Sequence, residues 1–302
     1  MDFRYTTEQE LFRDTLRKFC AENIEPISRE IDEKEDGIPD EIIQGLAAQG
    51  VFGLTIPEQY GGTAPEGERD GGHITLVRTD PEAGHKGFTF VFIPAGLPGV
   101  TYTTFDDMGR MALSTGGFTY QDVEVPEYCI LGEPNRGFYI NMEGFNLARI
   151  LVASACVGMA ERALEISREY VSQRTMFGKP LAKYEGISFE IAEDHGKLEQ
   201  IKLYLQYAAW AADMTYKEPD FMTPRQLSRI VSICKMDAPI LAADIARHTM
   251  MHHGAFGFTK DCPIERGLRG VMSYVVGAEG GHNIQKLIIA REYIGDVAVP
   301  YR

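Results

Sequence analysis

A run of apolar side chains at helical spacing covers residues 149–174 and constrains the fold more than any other feature of the sequence. Its members lie three or four positions apart: Leu151, Val152, Ala155, Met159, Ala163, Ile166 and Tyr170. A helix of this length buries such a stripe against other long helices. Three similar stretches follow, at 187–212, 224–251 and 277–291. Residues 138–302 are therefore predicted to form a four-helix bundle, with an interruption or kink at Pro239.

The chain before residue 138 changes character twice. Residues 1–62 have helical patterns, and Thr6 with Gln9 has the spacing of a capping box for the first helix. Residues 63–137 contain four runs of β-branched and aromatic residues bounded by Gly, Pro and Asp: 74–77, 88–93, 100–102 and 117–120. The predicted fold class is α+β in several parts, with an N-terminal helical domain, a middle antiparallel β-domain and the C-terminal bundle.

The net charge argues against binding to nucleic acid. The chain has 30 Lys and Arg against 44 Asp and Glu, a formal charge of −14, whereas a protein that follows a phosphate backbone needs a basic face.

No window approaches about 18 uncharged apolar residues, so no membrane span is expected, and no secretion signal is visible. Five scattered cysteines without a CxxC pair indicate reduced thiols and no metal. The expected localisation is cytoplasmic, or the mitochondrial matrix in a eukaryote.

Residues 174–181, Arg-Thr-Met-Phe-Gly-Lys-Pro-Leu, follow directly on the long helix. The residues alone leave two interpretations open. A helix C-terminus favours a cation near its dipole and a glycine and a proline that stop the helix. Alternatively, the turn presents the guanidinium of Arg174 and the ring of Phe177 to an anionic, planar ligand.

Two glycine-containing segments follow further along the chain. His252 and His253 precede Gly-Ala-Phe-Gly at 254–257; adjacent histidines point in different directions, so no metal site is expected, and the glycines indicate close approach of the backbone to a helix or a ligand. The second segment, 277–281, is Gly-Ala-Glu-Gly-Gly. Its small residues leave Glu279 open to a ligand that would desolvate it and make it a better base. Alternatively, Glu279 is exposed and lends negative charge to the following helix.

These segments, in this order and at these separations, resemble the acyl-CoA dehydrogenase family. The resemblance extends over nearly every residue present. Its N-terminal part covers 8–12 and 53–62, its β-domain part covers 108–110, 118–126 and 131–138, and its C-terminal part covers Arg149, 174–181, 254–258, 263–266 and 279–280.

The resemblance implies an enzyme that uses FAD to remove two hydrogens from an acyl-CoA thioester. Glu279 falls at the position of the base that takes the α-proton while hydride leaves the β-carbon for the flavin, and the thioester carbonyl carries the developing negative charge. The positions that correspond to FAD contacts are Arg174, Phe177, Gly254, Ala255, Gly257 and Gly281. The positions near CoA and the substrate channel are Asn146, Arg149, Ala278 and Gly280.

Departures from the family pattern bear on the acyl group. Ala278 stands where an aromatic residue is common, which opens space for a bulky, cyclic or branched acyl group. Gly281 stands where Thr or Ser is common, which removes an expected FAD contact. His282 is similar to a residue of the glutaryl-CoA branch, so a dicarboxylic acyl group is a further option. An enoyl-CoA reductase and an acyl-CoA oxidase share the same fold and stay open as alternatives.

The resemblance also implies partners and a deficit in length. Because neighbouring subunits contribute FAD contacts, a homodimer or homotetramer is expected, with an electron-transfer flavoprotein as electron acceptor. Family members have about 80–90 further residues between Gly62 and Ile74, including helices and the first half of the β-domain. Either the sequence as given omits this stretch or the deletion is genuine. A genuine deletion makes a non-catalytic scaffold a further alternative.

Overall fold

The computed structural model describes residues 5–34, 37–53, 71–113 and 115–299. The chain divides into two compact units, one within Arg4–Met142 and one within Glu143–Arg302. The boundary predicted between residues 62 and 63 lies outside the described residues. In the part of the chain that the structure describes, no helix is both long and apolar enough to cross a membrane.

The first unit begins with the capping box that the sequence predicts. The Thr6 backbone N–H donates to Gln9 Oε1 at 2.9 Å, and Thr6 Oγ1 accepts from the Gln9 backbone N–H at 3.2 Å. Helix α1 then runs over Thr7–Phe19, and a π-turn and a 3-10 turn connect it to α2. The two helices that follow are α2 (Ser28–Lys34) and α3 (Asp40–Ala48). Gly45 lets α3 approach α1, because a Cβ there would lie 2.5 Å from the ring of Phe19.

The strands of this unit form two separate antiparallel sheets. The strands are β1 (Gly72–Arg78), β2 (Phe88–Pro94), β3 (Val100–Thr104), β4 (Gly116–Tyr120) and β5 (Ile130–Leu131). One sheet has the order β1-β2-β5, and the other is the β3–β4 ribbon, in which Tyr102 lies opposite Phe118. The four predicted strands are confirmed. Strand β5 was not predicted, because a strand of two residues is too short to show the alternation of apolar and polar side chains that indicates a strand. Along β2, Thr89, Val91 and Ile93 face the core.

The second unit consists of the predicted helical bundle, with one helix more than predicted. Its helices are α4 (Gly137–Gln173, which starts in the first unit), α5 (Glu185–Lys217), α6 (Pro224–His252), α7 (Ile264–Val276) and α8 (His282–Ile294). Helix α7 contains Gly267 and Gly270, which lower helix propensity. Packing outweighs this cost, since a Cβ on Gly267 would lie 3.1 Å from Met159 Sδ and its absence lets α7 approach α4.

Helix α6 is the central helix of the bundle and contacts α5, α7 and α8. It continues through Pro239, so the predicted interruption does not occur. The physical reason is burial: Val231, Cys234 and Ala242 on the same helix are fully buried, and Pro239 is itself buried. Small side chains at many contacts, among them Ala153, Ala160, Ala208 and Ala246, allow close helix packing. A side chain on α6 can therefore reach the connection between α7 and α8.

Candidate active site

The connection between α7 and α8, which we call the base loop, comprises residues 277–281. Its backbone is left-handed at three successive positions, with φ of +51° at Ala278, +47° at Glu279 and +97° at Gly280. Such a conformation costs about 1–3 kcal/mol at a residue other than glycine. The conformation therefore persists only if groups outside the loop hold it.

Buried side chains from α4 and α8 hold the middle of the base loop. The Glu279 carbonyl accepts from Arg149 Nε at 3.2 Å and from Gln285 Nε2 at 3.1 Å. Gln285 Nε2 also donates to the Gly280 carbonyl at 2.7 Å. These bonds fix the backbone that carries the Glu279 side chain.

Lys235, on α6, binds the two ends of the base loop. Its Nζ donates to the Tyr274 carbonyl at the end of α7, to the Gly277 carbonyl at 3.2 Å and to the Gly280 carbonyl at 3.4 Å. The side chain is buried, with 1% of the residue exposed. Burial lowers the pKa of Lys235, and the charge of Glu279 opposes that effect. Sequence reasoning missed Lys235 and Gln285, although a lysine inside an apolar helical stripe is a readable signal.

The side chain of Glu279 is half-buried. Its Oε2 is buried and has no hydrogen-bond partner among the described residues, which is unusual for a buried polar atom. Arg149 is 3% exposed, and burial lowers its pKa while Glu279 opposes the shift. Arg149 Nη1 donates to Asn146 Oδ1 and to Ser228 Oγ, each at 3.4 Å. Asn146, Arg149, Ala278, Glu279 and Gly280 therefore lie together.

Arg174 and Phe177 belong to a tight turn at the far end of α4. Thr175–Met176 (β6) pairs with Lys179–Pro180 (β7), and Phe177 and Gly178 form the two-residue loop with φ of +48° and +80°. Two positive φ values are typical of a type I′ hairpin. The turn leaves Phe177 90% exposed, and Arg174 is exposed as well; their contact with a ligand stays a prediction.

Gly254, Ala255 and Gly257 lie in a 3-10 turn, Gly254–Phe258, at the end of α6. Gly254 has φ of +60°, and a Cβ on Gly257 would lie 2.1 Å from the Met250 carbonyl. The ring of His253 stacks on Tyr170 of α4 with centroids 4.0 Å apart. This stack brings the Gly254 turn to the same end of the bundle as Arg174.

The bundle thus separates the predicted residues into two clusters. Between Arg149 and Arg174, α4 rises by about 37 Å. The base loop therefore lies at one end of this helix, and the two turns, the hairpin that follows Arg174 and the 3-10 turn Gly254–Phe258, lie at the other. Gly281 lies with the base loop and precedes the first residue of α8. Packing requires a glycine there, because a Cβ would lie 2.6 Å from the Val276 carbonyl.

Comparison with known proteins identifies the family. Residues 135–294 match the sequence profile described as acyl-CoA dehydrogenase, C-terminal domain, and residues 6–70 match the N-terminal domain of the same family. The chain therefore belongs to the acyl-CoA dehydrogenase family. This membership confirms the predicted class of protein, an FAD-dependent oxidoreductase that acts on acyl-CoA.

Individual relatives agree with the family profile. Acryloyl-CoA reductase (NADH) of Anaerotignum propionicum is 25% identical over 388 residues that cover 97% of this chain and 96% of the relative. The mitochondrial short-chain specific acyl-CoA dehydrogenase of Bos taurus is 31% identical over 72% of this chain and 50% of the relative. The structure of butyryl-CoA dehydrogenase from Megasphaera elsdenii shares the fold, with a TM-score of 0.85 at 23% identity over 97% of this chain and 100% of that one.

The first of these alignments bears on the length of the chain. It spans 388 positions, whereas this chain has 302 residues, so at least 86 positions hold no residue of this chain. Because the alignment covers nearly all of both proteins, most of these positions are internal. The number agrees with the deficit that the resemblance predicts.

The side chains at the two turns fit an FAD molecule. A guanidinium from Arg174 suits a pyrophosphate, and exposed rings at Phe177, Phe256 and Phe258 offer surfaces for a planar group. No described heavy atom lies within 4 Å of a Cβ built on Gly254, apart from its chain neighbours, so the backbone there is open to close approach by a ligand. The chemistry of these groups therefore agrees with the cofactor of the family.

Proposed function

We propose that this chain catalyses α,β-dehydrogenation of an acyl-CoA thioester, with Glu279 as the base. The observation that carries the proposal is the buried Oε2 of Glu279, which has no hydrogen-bond partner among the described residues and stands on a loop held by Arg149, Gln285 and Lys235. No hydrogen bond to this oxygen has to break before it accepts a proton. Bound FAD supplies the acceptor for the hydride.

The base loop contributes geometry, and its neighbours contribute charge. Hydrogen bonds to the Glu279 carbonyl orient the backbone, so the carboxylate is presented in one direction toward the α-carbon of the substrate. Arg149 and Lys235 both donate to main-chain carbonyls of the base loop, and the charge of each interacts favourably with that carboxylate. Asn146 and Arg149 border the same site and are proposed to contact the CoA thioester, with Ala278 and Gly280 beside the acyl group.

FAD is proposed to bind through Arg174, Phe177, Gly254, Ala255, Gly257 and Gly281. The distance of about 37 Å along α4 supports a shared arrangement, in which the two turns of one subunit serve the FAD of a neighbouring subunit. A homodimer or homotetramer is therefore part of the proposal. An electron-transfer flavoprotein is the proposed electron acceptor.

The small side chain of Ala278 supports a bulky, cyclic or branched acyl group. His282 gives less support to a dicarboxylic group, since its Nδ1 donates to the Met236 carbonyl at 3.1 Å and only Nε2 is left for a substrate carboxylate. A second candidate is the reverse reaction, reduction of an enoyl-CoA. It is favoured by the relative named acryloyl-CoA reductase, whose alignment spans nearly the whole of both proteins.

Anaerobic stopped-flow measurement of flavin absorbance tests the proposal. Straight-chain, branched, cyclic and dicarboxylic acyl-CoAs are mixed with the oxidised protein, and the matching enoyl-CoAs with the reduced protein. Bleaching by an acyl-CoA supports dehydrogenation. Reoxidation by enoyl-CoAs without any bleaching supports the reductase instead.

The variant Glu279→Gln tests the base. Flavin reduction should fall by about 10²–10⁴-fold while acyl-CoA binding survives. Glu265→Gln is the matched control, because Glu265 pairs with Arg269 on α7 and lies outside the base loop. Equal rates in Glu279→Gln and wild type would move the base to another residue.

A protein that retains no FAD, with an intact mass of 33.7 kDa, would support the scaffold alternative.

A further inference from the structure

Lys235 is a buried cation whose hydrogen bonds all go to main-chain carbonyls. Three carbonyls accept from its ammonium, one from the end of α7 and two from the base loop. Within the described residues it makes no ion pair. Burial of an ammonium without a carboxylate partner is costly, so this placement needs a reason beyond helix packing.

Helix capping alone does not account for these contacts. The Tyr274 carbonyl belongs to the last turn of α7, where four carbonyls lack an intrahelical donor, and a single bond to it would cap the helix. Lys235 also reaches Gly277 and Gly280, which stand on either side of Glu279. One ammonium therefore fixes the distance between the two ends of the loop in which Ala278 and Glu279 have positive φ.

The charge of Lys235 has few neighbours that could neutralise it. From α4 it faces the Cys156 thiol and the Arg149 guanidinium, and from the base loop it faces the Glu279 carboxylate. Burial raises the pKa of Cys156 to about 12, so this thiol is neutral near pH 7. Among the described residues, Glu279 is thus the anionic group that interacts with Lys235.

We propose that Lys235 is a positioning residue for proton abstraction, which ties both ends of the base loop to α6 and places a positive charge beside Glu279. The inference rests on the proposed role of Glu279 as base. It assigns different parts to Gln285 and Lys235, two of the three buried residues that hold the loop. Gln285 contributes hydrogen bonds alone, whereas Lys235 contributes hydrogen bonds and charge.

Two variants separate geometry from charge. Lys235→Met and Gln285→Met each remove donors to the loop with little change in volume, but Lys235→Met also removes the charge. Both should slow flavin reduction at saturating acyl-CoA by about 10–100-fold with KM nearly unchanged. In Lys235→Met alone, the acid limb of the pH–rate profile should move upward, because loss of a cation disfavours the carboxylate.

Hydrogen–deuterium exchange gives a readout that does not depend on activity. The peptide covering 274–285 should exchange faster in both variants, while peptides from α5 should not change. The control is Lys202→Met, which removes a surface lysine that pairs with Glu161 and Glu199. It should leave exchange of the base loop, the rate and the pH profile as in wild type.

Each outcome has a defined meaning. If Lys235→Met fails to fold, Lys235→Arg replaces it, and this variant should keep the wild-type acid limb because it keeps the charge. An acid limb that moves equally in Gln285→Met and Lys235→Met overturns the charge role, and unchanged exchange at 274–285 overturns the positioning role. If Glu279→Gln is as fast as wild type, the proposed base fails, while the exchange data still decide whether Lys235 holds the loop.

Discussion

The helical bundle and the β-containing unit bury their apolar side chains to very different extents. Among the described residues, the bundle has a single cluster of 23 buried apolar side chains, and the sheet has a cluster of three, Val91, Ile93 and Cys129. On the β3–β4 ribbon and the segment before β5, the aromatic residues Tyr102, Phe118 and Tyr128 are exposed. Within the ranges that the structure describes, the bundle therefore has a large core of its own, and the sheet has a small one.

The difference in core size between the two units occurs in a chain that is shorter than its relatives. The alignment with a relative leaves at least 86 positions without a residue here, while the C-terminal family profile matches 135–294. The unit with the larger buried cluster is also the unit that contains Glu279 and the groups that hold it. Stability should therefore depend mainly on the bundle, and four substitutions test this.

The largest effect is expected in the middle of the bundle. Ile245 on α6 is fully buried, so Ile245→Ala should lower the free energy of unfolding by about 2–5 kcal/mol through lost burial and a cavity. Urea denaturation followed by far-UV circular dichroism measures the change. Ile240→Ala, on the same helix but exposed, should cost well under that amount. Equal costs for the two variants would contradict a core centred on α6.

Sequence patterns predicted local features of the first unit well. The capping box at Thr6 and Gln9 and the run of β-branched and aromatic residues at 88–93 depend on residues a few positions apart, and the predicted cap and strand are both present. Helix α7 was missed because its glycines hide the helical pattern, whereas packing against Met159 decides its structure.

The candidate site was only partly predictable for the same reason. Sequence reasoning selected Glu279 and Arg149, and the structure places them together. It missed Lys235 because the carbonyls that this lysine binds lie 39 to 45 positions later. Contacts at that separation depend on how α6 packs against α7, which no local spacing specifies.

A smaller effect is expected in the sheet. Val91 on β2 is buried in the cluster of three, so Val91→Ala should cost about 1–2 kcal/mol, less than the bundle substitution because fewer neighbours surround the side chain. The same urea titration measures it, and Ile74→Ala on the exposed side of β1 is the control. A cost as large as that of Ile245→Ala would mean that the sheet contributes as much as the bundle.

The pH dependence of stability should also come from the bundle. His252 is buried, hydrogen-bonded to Ser167 at 2.7 Å and to Glu190 at 2.9 Å; burial lowers its pKa, and Glu190 opposes the shift. Because the unfolded chain then binds the proton more readily, stability should fall as pH drops below about 6.5.

The size of this effect is about 1.4 kcal/mol for each unit by which the pKa is lowered. Melting temperatures of wild type and His252→Gln between pH 5 and pH 8 measure it, and the variant should lose most of the dependence. A wild-type melting temperature that stays constant, or rises, on acidification would show that His252 gains a proton as easily in the bundle as in the unfolded chain.

The smallest effect is expected on the β3–β4 ribbon, and it tests the comparison most directly. Phe118 is exposed and stacks on His73 with centroids 3.9 Å apart. If this face is bare in the protein as it exists in solution, Phe118→Ala removes one exposed ring contact and should cost about 0.5–1 kcal/mol. Thr119→Ala, on the same strand, is the control. A cost of several kcal/mol would mean that another surface covers the ring, so that the small core of the β-containing unit is completed from outside it.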